Sequence, residues 1–335
     1  MSHYEHLSID ERESILKMRT LGKSIREISR ELKRSVSTIS RELSRNGSPK
    51  AHKYSANKAQ EKYHIRRKRC HRKLLLSNER LRNKILNLFL QNQWSPEQIA
   101  NRLALENKDK ISFNTIYRAI HTGLMEEKGC YQTKGKFGLE RKLRRKGKKP
   151  KPSSQDQKRG KFQISNPIEQ RPLSATNRTR FGHWEADMVA GKKGAECLVT
   201  LVDRKSRFLL TKKCPKASAI DVQNAMVDLL APFLNGKLRS VTPGRGKEFS
   251  NHLKTSQLLN CVPFYFPKPY SPWERGTNEN TNGLIREYMP KYTCMSLFSD
   301  DVVESFVNKL NYRPRKCLGW KSPFEVFFQT LLHLT

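Results

Sequence analysis

The chain has 335 residues, and its 66 lysines and arginines against 31 aspartates and glutamates give a formal net charge of +35. That length predicts two or three domains, and so cationic a surface favours nucleic acid as partner over a ribosomal-type or merely solubilising charge excess. Seven cysteines without a C-x-x-C pair exclude a zinc ribbon and a disulfide framework. Without an apolar leader or a membrane-length apolar stretch, we expect a cytoplasmic, nucleoid-associated protein.

The N-terminal part has the pattern of three short helices. The first two helices begin after Ser8 and Ser24, each of which forms a capping box with a glutamate three residues later. Gly22 ends the first helix, and Ser35 or Ser37 begins the third. Helical spacing predicts an inward apolar stripe of Ile25, Ile28, Leu32, Val36, Ile39 and Leu43. This layout predicts a helix-turn-helix whose third helix enters the major groove, with a plain three-helix bundle as the alternative.

Outward polar and basic side chains are the candidate DNA contacts here. In the helix-turn-helix they are Arg26, Ser37, Thr38, Ser40 and Arg41, since short polar and arginine side chains read base edges. On the next helix, Arg66, Arg67, Lys68 and Arg69 are candidate phosphate contacts, which position without specifying. A solvated charged helix or linker is the alternative for this basic run.

A second helix-turn-helix is suggested farther along. After an apolar helix at 81–90, Ser95 is an N-cap with proline at the first helical position, and Ser112 caps another helix. Its outward residues are Asn114, Thr115 and Arg118. The connection at 105–111 is long for the motif, so base reading and a packing role both stay open. From about 126 to 171, lysine, arginine, glycine, proline and serine without periodicity predict a flexible basic linker that lies along phosphates.

Strand patterns begin near residue 181. Runs at 184–190, 195–203 and 206–213 predict a three-stranded antiparallel meander. Helix at 219–234, strand at 238–242, helix at 249–259, strand at 263–266 and a helix from about 274 then alternate. This order predicts an α/β ribonuclease-H-like core with a mixed five-stranded sheet, in which acids from the first strand, the fourth strand and a late helix converge.

Five motifs stand out in the second half of the chain. They are GHWEAD at 182–187, LVDRKSR at 201–207, RGKEF at 245–249, SPWERGTNENTNGL at 271–284 and NYRPRK at 311–316. Together they resemble bacterial transposases of the insertion-sequence-thirty family. With the N-terminal pattern, the resemblance covers nearly the whole chain. It implies a DDE transposase that cuts element ends and joins them to target DNA by in-line phosphoryl transfer, using two Mg²⁺ ions, with Mn²⁺ possible in their place.

The resemblance assigns the acids residue by residue. Asp187 is the first catalytic acid and metal ligand, Glu279 is the third, and the family's second acid falls at Gly244. Mg²⁺ demands near-ideal oxygen ligation, so this loss is expected to remove most activity. The stretch from 244 to Glu279 is one residue longer than the family's spacing, and 259–263 can absorb it.

Three other carboxylates could in principle replace the missing acid. Glu248 is expected to complement a helix N-terminus and Asp203 to cap a turn. Glu185 lies two residues from Asp187 on the same strand face, which makes it the best-placed spare carboxylate. We expect no rescue by any of them.

Other residues near the motifs have simpler expected roles. Lys268 and Arg275 are candidate phosphate contacts near Glu279. Trp184 and Trp273 are expected in the core rather than stacked on bases. His183 is expected at the surface.

The sequence thus predicts a multidomain protein with an all-α helix-turn-helix part and an α/β core. Its predicted parts are a helix-turn-helix domain at 1–50, a basic helical connector at 51–77, a second helix-turn-helix-like domain at 78–125, a basic flexible linker at 126–175, a ribonuclease-H-like integrase core at 176–292 and a C-terminal helical extension at 293–335. Expected partners are double-stranded DNA, as terminal inverted repeats and target, and further copies of the chain in a homo-oligomer. A catalytically inactive site-specific binder or repressor is the alternative function.

Overall fold

In the computed structural model, the described residues are 5–47, 54–70, 74–107, 109–126, 138–143, 162–191 and 196–333. Contacts divide the chain into two compact units, Met1–Leu74 and Leu75–Thr335. Most of the predicted basic linker, including 144–152, and the predicted turn at 192–194 lie outside the described residues. Among the helices that are described, none is long and apolar enough to cross a membrane.

The first unit is helical. Its helices are α1 (Ile9–Thr20), α2 (Ile25–Glu31), α3 (Val36–Asn46) and α4 (Ala56–Arg69). Both predicted capping boxes form, after Ser8 and Ser24, and Ser35 is the N-cap of α3. Gly22 follows α1 with a φ of +77°, a left-handed conformation that glycine adopts without strain. These local signals are confirmed because each acts within a few residues of chain.

The core of this unit lies between the helices. Ile28 and Ile39 are fully buried, and the predicted apolar stripe is confirmed except at Val36, which is 46% exposed because it opens the first turn of α3. Buried Arg12 donates to Glu42 at 2.8 Å, and the Tyr54 hydroxyl donates to the same carboxylate at 3.0 Å. The stretch predicted as a connector therefore packs on α1 and α3 as a fourth helix rather than lying free.

Three helices begin the second unit. They are α5 (Glu79–Leu90), α6 (Pro96–Leu105) and α7 (Phe113–His121), each capped by the side chain of its N-cap residue. Ile85, Ile99 and Ile116 are fully buried in their common core. Arg102 on α6 is buried and ion-paired to Glu325 near the C-terminus at 2.7 Å. This pair fastens the three helices to the C-terminal segment.

The sheet is mixed. Strands β2 (His183–Ala190), β3 (Cys197–Asp203) and β4 (Leu209–Cys214) form the predicted antiparallel meander, and β5 (Ser240–Thr242) runs parallel to β2, in the order β4-β3-β2-β5. A parallel bridge joins Val241 to Phe264, beside the short strand β6 (Tyr265–Phe266). The predicted mixed sheet is confirmed, but it has four strands rather than five, and the predicted fifth strand is joined to β5 only by this isolated bridge.

The sequence does not predict a second, two-stranded sheet that the structure contains. The short strand β1 (Asn166–Pro167) pairs in parallel with β6, and Phe162 and Ile164 pack against the core. Residues 162–167 were predicted as linker because glycine, proline and lysine dominate around them. Their apolar side chains have a partner 100 residues away, which local composition does not reveal. The linker therefore ends earlier than the predicted boundary at 175.

Helices cover both faces of the sheet. They are the short α8 (Leu173–Thr176), α9 (Ala219–Leu230), α10 (His252–Leu258), α11 (Gly276–Ile285), α12 (Asp300–Tyr312) and α13 (Pro323–Phe328). Trp184 on one face packs in a core with α9 and with Phe327 of α13, which is fully buried. On the other face, Val189 packs against α11 and α12. The C-terminal segment therefore closes the core instead of standing apart.

Candidate active site

The start of β2 is fixed by backbone geometry. Gly182 has a φ of +87°, and a Cβ there would come within 2.7 Å of the Lys237 carbonyl carbon, so no side chain fits. Its N–H donates to Asp203 at 2.9 Å, and that carboxylate also accepts from the Ser206 N–H at 2.7 Å. Asp203 caps the turn between β3 and β4, as predicted, and so is held away from the candidate acid site.

Glu185 and Asp187 lie on the same face of β2 but in different surroundings. Glu185 is fully buried, ion-paired with Arg204, and accepts the Asn278 N–H at 2.8 Å. Its carboxylate is therefore engaged in the structure, and the expectation that it is the best-placed spare acid is wrong. A two-residue spacing shows which face a strand residue occupies, not which cation it meets.

Asp187 is the accessible acid of β2. Its side chain is 28% exposed and lies 3.5 Å from the Arg275 guanidinium. The Asn282 amide donates to Asp187 at 3.1 Å. The same Arg275 guanidinium donates to the Ala186 carbonyl at 3.1 Å. Asp187 thus faces the start of α11, with the Arg275 guanidinium between them.

Gly244 and Asp187 share Arg275 as a neighbour. The parallel pairing of β2 with β5 ends where Glu185 is opposite Thr242, two residues before Asp187 and Gly244. A Cβ on Gly244 would lie 3.4 Å from one Arg275 nitrogen, 3.5 Å from the other and 3.4 Å from the Phe249 ring, and the φ of this glycine is not positive. A Cβ at 244 therefore fits without backbone strain, in contact with the guanidinium that also contacts Asp187.

Glu279 is exposed on α11. It lies four residues after Arg275 and three before Asn282, spacings that place side chains on one helix face. Asn282, one turn further along α11, contacts Asp187. The convergence of Glu279 with Asp187 and position 244 stays a prediction of the resemblance.

The donor set does not fit a two-ion metal site. Asp187 and Glu279 supply carboxylates, but position 244 supplies backbone atoms only, and Arg275 already neutralises Asp187. Within the described ranges, no three His, Cys, Asp or Glu side chains form a group that could hold a metal ion. Two Mg²⁺ ions need more oxygen ligands than this arrangement offers. No metal-dependent step is therefore derived for the chain as it stands.

The candidate DNA contacts are placed on surfaces of the two units. In the first unit, Arg26, Ser37, Ser40 and Arg41 are exposed and Thr38 is half-buried, and Arg66, Arg67, Lys68 and Arg69 are exposed on α4. In the second unit, Asn114 and Arg118 are exposed on α7 and Thr115 is half-buried. These side chains lie outside the apolar core of their unit, so they are accessible to a ligand.

Two other predicted phosphate contacts differ from one another. Lys268 is exposed and pairs with Glu169 at 2.8 Å, a carboxylate that raises the pKa of the lysine. Arg275 is 14% exposed and lies in the acid site instead of on the open surface. A phosphate would have to reach Arg275 beside Asp187.

Two expectations near the motifs are wrong. His183 is 3% exposed and lies between the Ser174 and Ser240 hydroxyls, and burial together with nearby arginines lowers its pKa to about 4. Trp273 is 72% exposed, whereas Trp184 is in the core as expected. His183 is buried because β2 begins one residue earlier than predicted. Trp273 is exposed because it belongs to a 3-10 turn that precedes α11.

The sequence pattern also missed functional neighbours. Asn282 touches Asp187, and its position three residues after Glu279 is the signal that could have suggested it. Arg204 holds Glu185 from 19 residues away, and nothing in the local sequence indicates that pairing. Partners of this kind depend on the turn between β3 and β4, which brings Arg204 back to β2.

A helix-turn-helix with basic helices, joined to an α/β core with a mixed sheet, defines a class of DNA-binding proteins. Comparisons with known proteins identify the family within this class. Residues 3–46 match a helix-turn-helix domain family. The chain is 37% identical to the transposase for insertion sequence element IS4351 of Bacteroides fragilis over 75% of its own length and 74% of that protein. It is 32% identical to the IS1086 transposase of Cupriavidus metallidurans, over 74% and 72% of the two chains.

The chain belongs to the family of IS30-type insertion-sequence transposases. It is 36% identical to transposase InsI of IS30A from Escherichia coli over 71% of its own length, and this match spans 62% of that relative. Among solved structures it is similar to the catalytic core of BIV integrase, with a TM-score of 0.35, 16% identity, and coverage of 44% of this chain and 93% of that one. A simian T-cell lymphotropic virus intasome chain gives a TM-score of 0.38 at 16% identity, over 55% and 63%.

Proposed function

We propose that this chain binds the ends of an insertion sequence as a transposase whose DNA cleavage and strand transfer are impaired at Gly244. The observation that carries the proposal is that Gly244 and Asp187 both lie against the Arg275 guanidinium, with room for a Cβ at position 244. Relatives that the chain matches are transposases. The scaffold for phosphoryl transfer is thus kept while one of its acids is absent.

The residues of the site have distinct roles in this proposal. Asp187 and Glu279 are the remaining catalytic acids, and in the active members of such a family divalent ions such as Mg²⁺ supply the activation of the attacking oxygen. Arg275 balances the charge of Asp187 and orients its carboxylate together with Asn282. Glu185 holds β2 to α11 and takes no part in the chemistry.

DNA recognition is assigned to the helical surfaces. The exposed face of α3 would read bases, with the basic end of α4 and the exposed face of α7 adding phosphate or base contacts. Joining two element ends to one target requires at least two copies acting together, so we expect a homo-oligomer on DNA.

A site-specific binder or repressor is the second candidate. It is favoured by the contrast between intact DNA-facing helices and an incomplete acid site. Under either function the chain binds its terminal repeats, and the two differ in whether restoring the acid restores chemistry.

The binding part of the proposal is tested with duplexes that carry the terminal repeats of the element. We expect affinity that falls steeply with salt and a loss of about 1–3 kcal/mol of site preference in Arg41→Ala. Arg19→Ala, an exposed arginine on α1, is the matched control and should keep the preference. If both variants lose specificity equally, α3 is not the base-reading helix.

The catalytic part is tested in the same preparation. We expect the unaltered chain to bind the repeats but neither nick nor join them in Mg²⁺ or Mn²⁺. Robust cleavage by the unaltered chain would show that Gly244 does not impair it.

A further inference from the structure

Four arginines converge beside β2, around one buried carboxylate. The Arg204 guanidinium pairs with Glu185 and its Nε donates to the Ala175 carbonyl at 2.8 Å. Ala175 belongs to α8, which lies between Arg171 and Arg178 in the sequence. This contact brings the segment that carries both of those arginines against Arg204.

The fourth arginine joins the group from the turn between β3 and β4. Arg207 donates to the Arg204 carbonyl at 2.7 Å and to the Thr277 hydroxyl at 2.8 Å. Thr277 is in the first turn of α11, two residues before Glu279. We call Arg171, Arg178, Arg204 and Arg207 the arginine cluster; it links α8, the β3–β4 turn and the start of α11.

The cluster carries more positive charge than its protein partners balance. Burial lowers the pKa of both Arg171 and Arg178, and the charge of neighbouring arginines lowers it further, while Glu185, and for Arg171 also Glu274, acts in the opposite direction. The Arg171 Nε and Nη1 atoms are buried and make no hydrogen bond within the part of the chain that is described. A guanidinium stays protonated in proteins, and a buried donor without a partner is unfavourable. An anion bound at the solvent-accessible edge of the cluster would balance this charge.

The cluster can be reached from solvent and has a recognisable ligand geometry. Arg178 is exposed, and Arg171 and Arg207 are half-buried. The planar fork of a guanidinium matches the paired oxygens of a phosphate group. Glu185, at the centre of the cluster, is two residues from Asp187 along β2, which is about 7 Å of extended strand. An anion held here would lie next to the candidate acid site.

We propose that the arginine cluster binds one phosphate group of the DNA backbone and so positions the strand beside Asp187. The proposal rests on the proposed function that the chain binds DNA. Free inorganic phosphate shares the chemistry, so the test has separate arms for the two sources. The cluster is left short of negative charge in the free protein and is completed when DNA is bound.

The test uses the full-length Arg171→Gln/Arg178→Gln double variant. Arg204 and Arg207 are left in place, since Arg204 holds Glu185 and its loss could prevent folding. The matched control is Lys216→Gln/Lys254→Gln, which removes two exposed positive charges elsewhere in the same unit. Relief of repulsion should leave the arginine variant at least as stable as the unaltered chain in phosphate-free buffer, which verifies that it folds.

The first arm measures thermal unfolding in inorganic phosphate against chloride at equal ionic strength. We expect phosphate to raise the unfolding temperature of the unaltered chain and of the lysine control, and to leave the arginine variant unchanged. An equal rise in all three proteins would overturn the phosphate site.

The second arm measures duplex binding as a function of salt. Each lost phosphate contact lowers the slope of log affinity against log salt by about one, so we expect that loss in the arginine variant beyond any change in the lysine control. The arginine variant could lose the rise in unfolding temperature with phosphate and still show the same salt slope of DNA binding as the lysine control. The site would then bind free anions only, and the DNA proposal would be overturned. If the unaltered chain responds to phosphate but binds no DNA, the proposed function fails and the anion site stands.

Discussion

Glu185 and Asp187 project from one face of β2, and replacing each by its amide separates a structural carboxylate from an accessible one. Glu185→Gln removes the carboxylate that pairs with Arg204, whose side chain is only 5% exposed. The positive charge of Arg204 is then left buried near other arginines. Breaking a buried pair from one side costs about 3–5 kcal/mol. Asp187→Asn removes a contact of 3.5 Å between partly exposed groups, which is worth at most about 1 kcal/mol.

The assay is urea unfolding followed by tryptophan fluorescence. The four tryptophans of the chain, Trp94, Trp184, Trp273 and Trp320, all belong to the Leu75–Thr335 unit, so the signal reports that unit alone. We expect Glu185→Gln to lower the midpoint by about 1–2 M urea and Asp187→Asn to lower it by a small fraction of that. Equal midpoints for the two variants would refute the structural role of Glu185.

Two buried groups predict separate pH dependences of stability. Burial and nearby arginines lower the pKa of His183 to about 4 in the folded chain, so the unfolded state takes up a proton at higher pH than the folded state does. About 3 kcal/mol of stability should therefore be lost as the pH falls from 6.5 to 4. His183→Gln should remove this pH dependence from the urea midpoints. Burial alone would raise the pKa of Glu325, but hydrogen bonds from Arg102 and from backbone lower it to about 2. Its stabilisation, present above pH 4.5, should fade as the pH drops towards 2, and Arg102→Gln should reduce this fading because only the backbone donors remain. Acid unfolding curves that match the unaltered chain would contradict the pairing.

Local signals were sufficient for much of the fold. Capping boxes at Ser8 and Ser24 act within one helical turn, and the strand-forming runs of β2, β3 and β4 are visible within six to eight residues. These elements follow from nearest-neighbour chemistry, and the sequence predicts them well. The order of strands and helices then limits the sheet to few arrangements.

Contacts between distant segments were beyond the sequence pattern. The strand period placed Glu185 beside Asp187, but its burial depends on Arg204 and on the start of α11. Likewise, the pairing of β1 with β6 joins segments about a hundred residues apart. Such features depend on tertiary packing, which overrides local composition.

The candidate site shows the same division. Resemblance assigned Asp187, Glu279 and the gap at Gly244, while the structure shows that Gly244 and Asp187 both lie against Arg275. Only the three-dimensional structure shows that Arg275 is the cation beside Asp187. In the sequence, its spacing from Glu279 fits a surface phosphate contact equally well.

The central claim is tested most directly by cleavage of terminal-repeat duplexes by Gly244→Asp, with Gly244→Asn as the matched control. Both side chains begin at the same Cβ, for which the structure has room, so they differ in charge rather than in fit. We predict that Gly244→Asp nicks and joins the duplex in Mg²⁺ or Mn²⁺ while the unaltered chain and Gly244→Asn bind it without cutting. Cleavage that is equally absent from all three, with binding retained, would contradict the claim that the missing acid is what separates this chain from an active transposase.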